Sequence, residues 1–182
     1  MLNLPVEKIG GEMYELLTMA NRTTEDVFSL LDNLLKWTKS QIGNLNVVYQ
    51  DVDAVEVVDS VIDVFNMVAG LKKITIREEK PEKLPVCTDI DMLKTIIRNL
   101  LSNAIKFSNE NSEVLVKMEE QGDTVVVSVK DSGCGIDEEG QQKLLHTDTH
   151  FSTFGTNNEE GSGLGLLLCQ DFAVKSGGKL WF

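Results

Sequence analysis

Apolar residues return at every seventh position through the N-terminal stretch of this chain, as Val6, Met13, Ala20, Val27 and Leu34. Leu17, Leu31 and Leu45 form the neighbouring row, with Ile9, Leu16, Leu30 and Trp37 beside them. The period predicts one helix from Pro5 to about Leu45 with a broad apolar face. A lone helix cannot cover such a face, so the pattern requires a bundle or coiled-coil partner, or a fold back onto the rest of the chain. Gly10-Gly11 weakens the first turns.

After Gly43-Asn44 the rhythm changes to mixed helix and strand, which sets a boundary between residues 1–45 and 46–182. Asn46 to Val52 reads as a short strand. Asp53 caps a helix with Glu56 three residues on, its apolar face running through Val57, Val61, Phe65 and Val68 to a stop at Gly70. Lys73 to Arg77 alternates like a strand. A second helix is predicted from Thr88, with Asp91 completing a capping box, to about Phe107. Two strands follow, Glu113 to Glu119 and Thr124 to Lys130, joined at Gly122-Asp123 as a hairpin. Beyond a turn at Asp131 and a short helical stretch, a polar loop runs from His146 to Gly163. A last helix spans Leu164 to about Lys175 and ends at Gly177-Gly178, and Lys179 to Phe182 begins a strand. This order predicts an α+β two-layer sandwich, a mixed sheet covered by helices on one face, preceded by one long helix.

Hydrophobic residues make up 42% of the 182 residues and charged ones 25%, a globular mixture. The formal charge of −12 repels polyanions, so nucleic acid and anionic membrane surfaces are poor candidate partners, and a nucleotide needs a local cation. Cys87, Cys134 and Cys169 lack the close pairing of zinc or redox motifs and read as reduced thiols of a cytoplasmic protein. No apolar run reaches the ~20 residues that cross a bilayer.

Three local patterns carry chemistry. Asn99, Asn103 and Lys106 share one face of the second helix, while Leu93, Ile96, Ile97, Leu100 and Ala104 cover the side toward the sheet. The stripe is either ordinary solvent-facing surface, or a pair of carboxamides and an ammonium poised for a metal-bound triphosphate. Asp131-Ser-Gly133-Cys-Gly135 ends the valine-rich strand. It is either a tight turn or a pocket in which the carboxylate meets an exocyclic amine while Gly135 lets a flat base approach. Gly161-Ser-Gly163-Leu-Gly165 opens the last helix, either as a hinge or as a cradle whose free N–H groups face phosphate oxygens. The loop before it is longer than connections usually are and suits a lid, with Ser152, Thr153, Thr156 and Asn157 as reaching groups. His146 and His150 have no neighbours at metal-ligand spacing.

Taken in this order, the asparagine helix, strand-end aspartate, long loop and helix-opening glycines resemble the Bergerat-type ATP-binding fold shared by gyrases, heat-shock chaperones, mismatch-repair ATPases and histidine kinases. The stretch Leu31-Asp-Asn-Leu-Leu-Lys-Trp37 resembles the second helix of the histidine-kinase dimerisation and phosphotransfer domain. The resemblance implies that residues 1–45 are that helix and 46–182 the ATP-binding catalytic domain, ending before its last strand. It implies ATP and Mg²⁺ as cofactors, with Asn103 as metal ligand. The nucleotide site it implies comprises Asn99, Asn103, Lys106, Phe107, Asp131, Gly133, Gly135, Ile136, Thr156, Gly161, Gly163, Leu164 and Gly165. Phe151-Ser-Thr-Phe154 stands where the family's phenylalanine box belongs, in an atypical form. The implied reaction is transfer of the γ-phosphoryl group to a histidine on a helix absent from this sequence, for relay to a response-regulator receiver domain, within a homodimeric parent. No catalytic residue is assignable here. The alternatives are a non-catalytic nucleotide-binding or dimerisation module, and an ATP-hydrolysing relative, which would carry a glutamate where Asn99 stands.

Overall fold

A computed structural model describes residues 46–136 and 163–182, together with 13, 16, 17, 19, 20, 24, 27, 31–38, 40, 140, 155 and 156. In chain order its elements are β1 (Gln50–Asp53), α1 (Ala54–Leu71), β2 (Thr75–Glu79), β3 (Pro85–Thr88), α2 (Ile90–Phe107), β4 (Glu113–Gln121), β5 (Thr124–Lys130) and α3 (Leu164–Lys175).

Asp53 caps α1 as its position predicts. Its Oδ1 accepts from Val55 N–H at 3.0 Å and also from Leu84 N–H at 2.9 Å, so one carboxylate starts the helix and ties it to β3. The helix passes Gly70 and stops a residue later, because Lys73 takes φ 56°, the left-handed conformation expected of the glycine. That turn uses up Lys72 and Lys73, which shifts β2 to Thr75–Glu79. The start of α2 also differs from the sequence reading: Thr88 ends a strand and Asp89 is the cap, accepting from Asp91 and Met92 N–H at 3.0 Å each. Its second oxygen accepts from Val48 N–H at 2.9 Å. This bond holds residues 46–49 out of β1, which is why the strand predicted from Asn46 begins only at Gln50.

β1 and β3 form a two-stranded antiparallel ladder, and β2, β4 and β5 form a mixed sheet with β2 parallel and β5 antiparallel to the central β4. Val114, Val116 and Met118 alternate inward from β4 beside Val125, Val127 and Val129 of β5. Against them pack Val58 and Ile62 of α1 and Ile97, Leu101, Ala104 and Ile105 of α2. The predicted α+β sandwich is therefore present. Two residues assigned to the sheet side of α2 are placed otherwise: Leu100 is only half-buried, and Ile96 joins Met92, Leu168 and Phe172 in a second cluster toward α3. A 3.6-residue repeat spreads the apolar arc over two neighbours rather than one. Residues 179–182 form no strand, since no described strand pairs with them; Lys179 lies 5.4 Å from the Trp181 ring centre instead.

All described residues between 13 and 40 are helical. Met13, Leu16, Leu17, Met19, Val27, Leu31, Leu34 and Leu35 stay exposed, so these members of the apolar face are not buried by the described residues. Among the described residues, the end of this stretch folds back. Trp37 packs on the second cluster, and buried Ser40 bonds to the Asp171 carboxylate while Lys175 Nζ reaches Ser40 O at 2.9 Å.

Candidate nucleotide-binding site

The predicted asparagines lie on α2, but they do different things. Asn99 faces α3: its Nδ2 donates to Thr95 O at 2.9 Å, and a Cβ on Gly165 would stand 2.8 Å from its Oδ1. Gly165 is thus glycine because α3 crosses α2 on top of this side chain. Asn103, one turn later, is half-buried, and its carboxamide makes no hydrogen bond among the described residues. It is the available oxygen donor of the stripe. Lys106 Nζ sits 4.9 Å above the Phe107 ring, a cation held on an aromatic face.

The turn after β5 docks on the end of the same helix. Asp131 is exposed, and its Oδ1 accepts from Gly133 N–H at 2.9 Å. A Cβ on Gly133 would meet Phe107 O at 2.3 Å, so only glycine lets the turn touch the helix backbone there. Gly135 follows with φ +67°, and Ile136 is 42% exposed. From within the long loop, Thr156 N–H donates to Lys106 O at 3.2 Å. Its hydroxyl proton lies between Lys106 O at 3.1 Å and Ser108 O at 2.9 Å, so this predicted phosphate-reaching group is engaged with the helix end. Gly163, φ 68°, opens α3 without a side-chain cap, and Leu164 is half-buried. Gly161, the phenylalanine box and the other predicted reaching groups of the lid, Ser152, Thr153 and Asn157, lie outside the described residues.

Three separated sequence patterns therefore converge on the last turns of α2: Gly165 on Asn99, Gly133 on Phe107, and Thr156 on Lys106. Residues 88–182 match the family described as histidine kinase-, DNA gyrase B- and HSP90-like ATPases. The chain belongs to that family. Its ATP-binding domain is of the sensor histidine kinase kind. It is 30% identical over 154 residues to the adaptive-response sensory kinase SasA of Rippkaea orientalis, covering 84% of this chain and 39% of the relative. It is 33% identical over 170 residues to the sensor protein KdpD of Clostridium acetobutylicum, covering 91% of this chain and 18% of that one. The solved catalytic domain of histidine kinase ThkA superposes with a TM-score of 0.65 at 30% identity, covering 74% of this chain and 86% of that one. The chain thus spans less than half the length of these curated relatives.

One residue with a part in the geometry escaped the sequence reading. Lys72, between α1 and β2, sends its Nζ to Ile105 O, Lys106 O and Thr156 Oγ1 at 2.9, 2.8 and 2.7 Å. No motif flags it, because its role depends on a contact across more than thirty positions of sequence.

The cysteines split by environment. Burial pushes the Cys169 thiol up to about 12, partly opposed by a hydrogen bond with Asn99, while Cys87 and Cys134 are exposed. Iodoacetamide at mildly alkaline pH should therefore label Cys87 and Cys134 and spare Cys169, as mass spectrometry of the digested chain would read out. Cys87 should react more slowly than its exposure suggests, since a hydrogen bond with Asp51 keeps its thiol protonated. The folded chain holds the Cys169 proton that the unfolded chain releases near the ordinary thiol value of 9.0. That contribution to stability is complete below pH 9 and declines as pH rises toward about 12.

Proposed function

We propose that this domain transfers the γ-phosphoryl group of Mg-ATP to a histidine carried by another helix, which then passes it to a response-regulator receiver domain. The convergence of the three patterns on the end of α2 carries this reading. It supports an adenine at the Asp131 turn and phosphates alongside Lys106 and the amide-bearing N-terminus of α3. The unengaged carboxamide of Asn103 suits a hard divalent cation, and Mg²⁺ held there would neutralise charge on the triphosphate. A neutral imidazole attacks phosphorus without a strong base, so the chemistry needs chiefly positioning and charge neutralisation from the protein. Asn99 also argues against hydrolysis. A carboxamide cannot deprotonate water near neutral pH, and this one is tied to Thr95 O with Gly165 packed against it.

Residues 1–45 would supply the second helix of a dimeric phosphotransfer domain, a role supported by their exposed apolar row. Among the described residues no helix is long and apolar enough to cross a membrane. A cytoplasmic setting, where ATP is plentiful, follows from the proposed substrate.

Mixing the chain with a polypeptide that carries the acceptor helix and γ-labelled Mg-ATP should yield acid-labile phosphate on that polypeptide's histidine. Light scattering of the chain alone should report more than one copy. Tight Mg-ATP binding with no transfer would instead mark a binding module, and steady phosphate release from the chain alone would mark a hydrolase.

A further inference from the structure

We propose that Lys72 is a positioning residue for the ATP site, clamping the C-terminal end of α2 and Thr156 into one arrangement. The inference rests on the ATP-binding reading above and deepens it. Lys72 is 7% exposed, and a lysine ammonium is costly to bury unless its protons are taken up. Here Ile105 O, Lys106 O and Thr156 Oγ1 take them. Carbonyls at a helix C-terminus lack intrahelical donors and carry the negative end of the helix dipole, so the ammonium satisfies both needs at once. The approach is itself built into the chain. Lys72 is the C-cap of α1, and the next residue adopts a left-handed φ of 56° without being glycine, a sparsely populated conformation that the surrounding contacts must hold.

What the clamp holds is the part of α2 that meets the nucleotide pattern. Lys106 and Phe107 occupy the final turn, and Phe107 O is the atom against which Gly133 sits. Releasing the ammonium would leave the helix-end carbonyls without their cation and Thr156 held only by its own bonds to Lys106 O and Ser108 O. The shift would then pass through Phe107 into the Asp131 turn, moving the base site as well as the phosphate side.

The test is calorimetric affinity for a nonhydrolysable ATP analogue with Mg²⁺, and separately for adenosine, at a temperature where circular dichroism shows every variant folded. Lys72→Met and Thr156→Val should each weaken both ligands by at least about tenfold, the effect expected when positioning is lost. The double variant should be no weaker than either single one, and Thr156→Ser should bind as the natural chain does. Affinity within about twofold of the natural chain in Lys72→Met would overturn the clamp. So would multiplied losses in the double variant, or a Thr156→Val loss confined to the ATP analogue, which would mean that Thr156 touches phosphate directly. Should Lys72→Met not fold, the comparison of Thr156→Val with Thr156→Ser on the two ligands decides. Failure of the natural chain to bind either ligand would refute the ATP-binding reading itself, a result distinct from these.

Discussion

A Gly133→Ala chain should lose about 100-fold or more in affinity for Mg-ATP while keeping its helices and sheet. An alanine Cβ at this position would stand 2.3 Å from Phe107 O, 2.8 Å from Phe107 C and 2.9 Å from Asp131 Oδ1. Two of those atoms are main chain inside the last turn of α2, so no side chain can swing away to make room. The turn itself must move. Overpacking of this kind costs about 1–3 kcal/mol of stability, which a domain tolerates. A displacement of ~1 Å at a group that must meet a base is felt far more strongly, at roughly two orders of magnitude. Calorimetry with a nonhydrolysable analogue and a thermal melt on the same sample separate the two effects. Natural affinity in the variant would show that the Asp131 turn does not hold the nucleotide.

Asp131→Asn should weaken ATP, ADP and adenosine by one common factor, with little change in melting temperature. The carboxylate is exposed, and the hydrogen bond it receives from Gly133 N–H at 2.9 Å can be kept by an asparagine Oδ1, so the turn survives. What goes is the charge proposed to accept the exocyclic amine of adenine. Hydrogen bonds to charged groups contribute about 1.5–3 kcal/mol, which corresponds to roughly 10- to 100-fold in affinity. If the proposed contact is with the base, phosphate number should not alter the ratio. A loss that grew from adenosine to ATP would place the aspartate at the phosphates and reverse the orientation of the ligand. Comparing the two substitutions also tests geometry against charge, because one moves the carboxylate and the other discharges it in place.

Much of this site was legible because its elements are local. The capping chemistry of Asp53, the alternation of Val125, Val127 and Val129, and α3 from Leu164 to Lys175 follow from neighbours a few positions apart. Boundaries failed where distant partners intervened. Asp89 took the cap from Thr88 and also bound Val48, four-residue β3 exists because β1 offers it a ladder, and Leu101 proved more central to the core than Leu100. None of these has a signature within its own window of sequence.

The glycines show the same division. Their presence at 133 and 165 pointed to close approach, but what approaches was not written beside them: it is the backbone of Phe107 in one case and the carboxamide of Asn99 in the other. Lys72 left no sign at all, being one lysine of a Lys-Lys pair until the fold set it under the carbonyls of α2.

Residue order by itself determined the class of fold, the family to which the chain belongs and the shared face of Asn99, Asn103 and Lys106 on α2, because periodicity, capping and motif order act over short distances. Tertiary structure alone decided which asparagine is tied down and which is available, and which lysine is buried. Those outcomes depend on the crossing of α2 with α3 and on the turn between α1 and β2, contacts between segments that the linear sequence keeps apart.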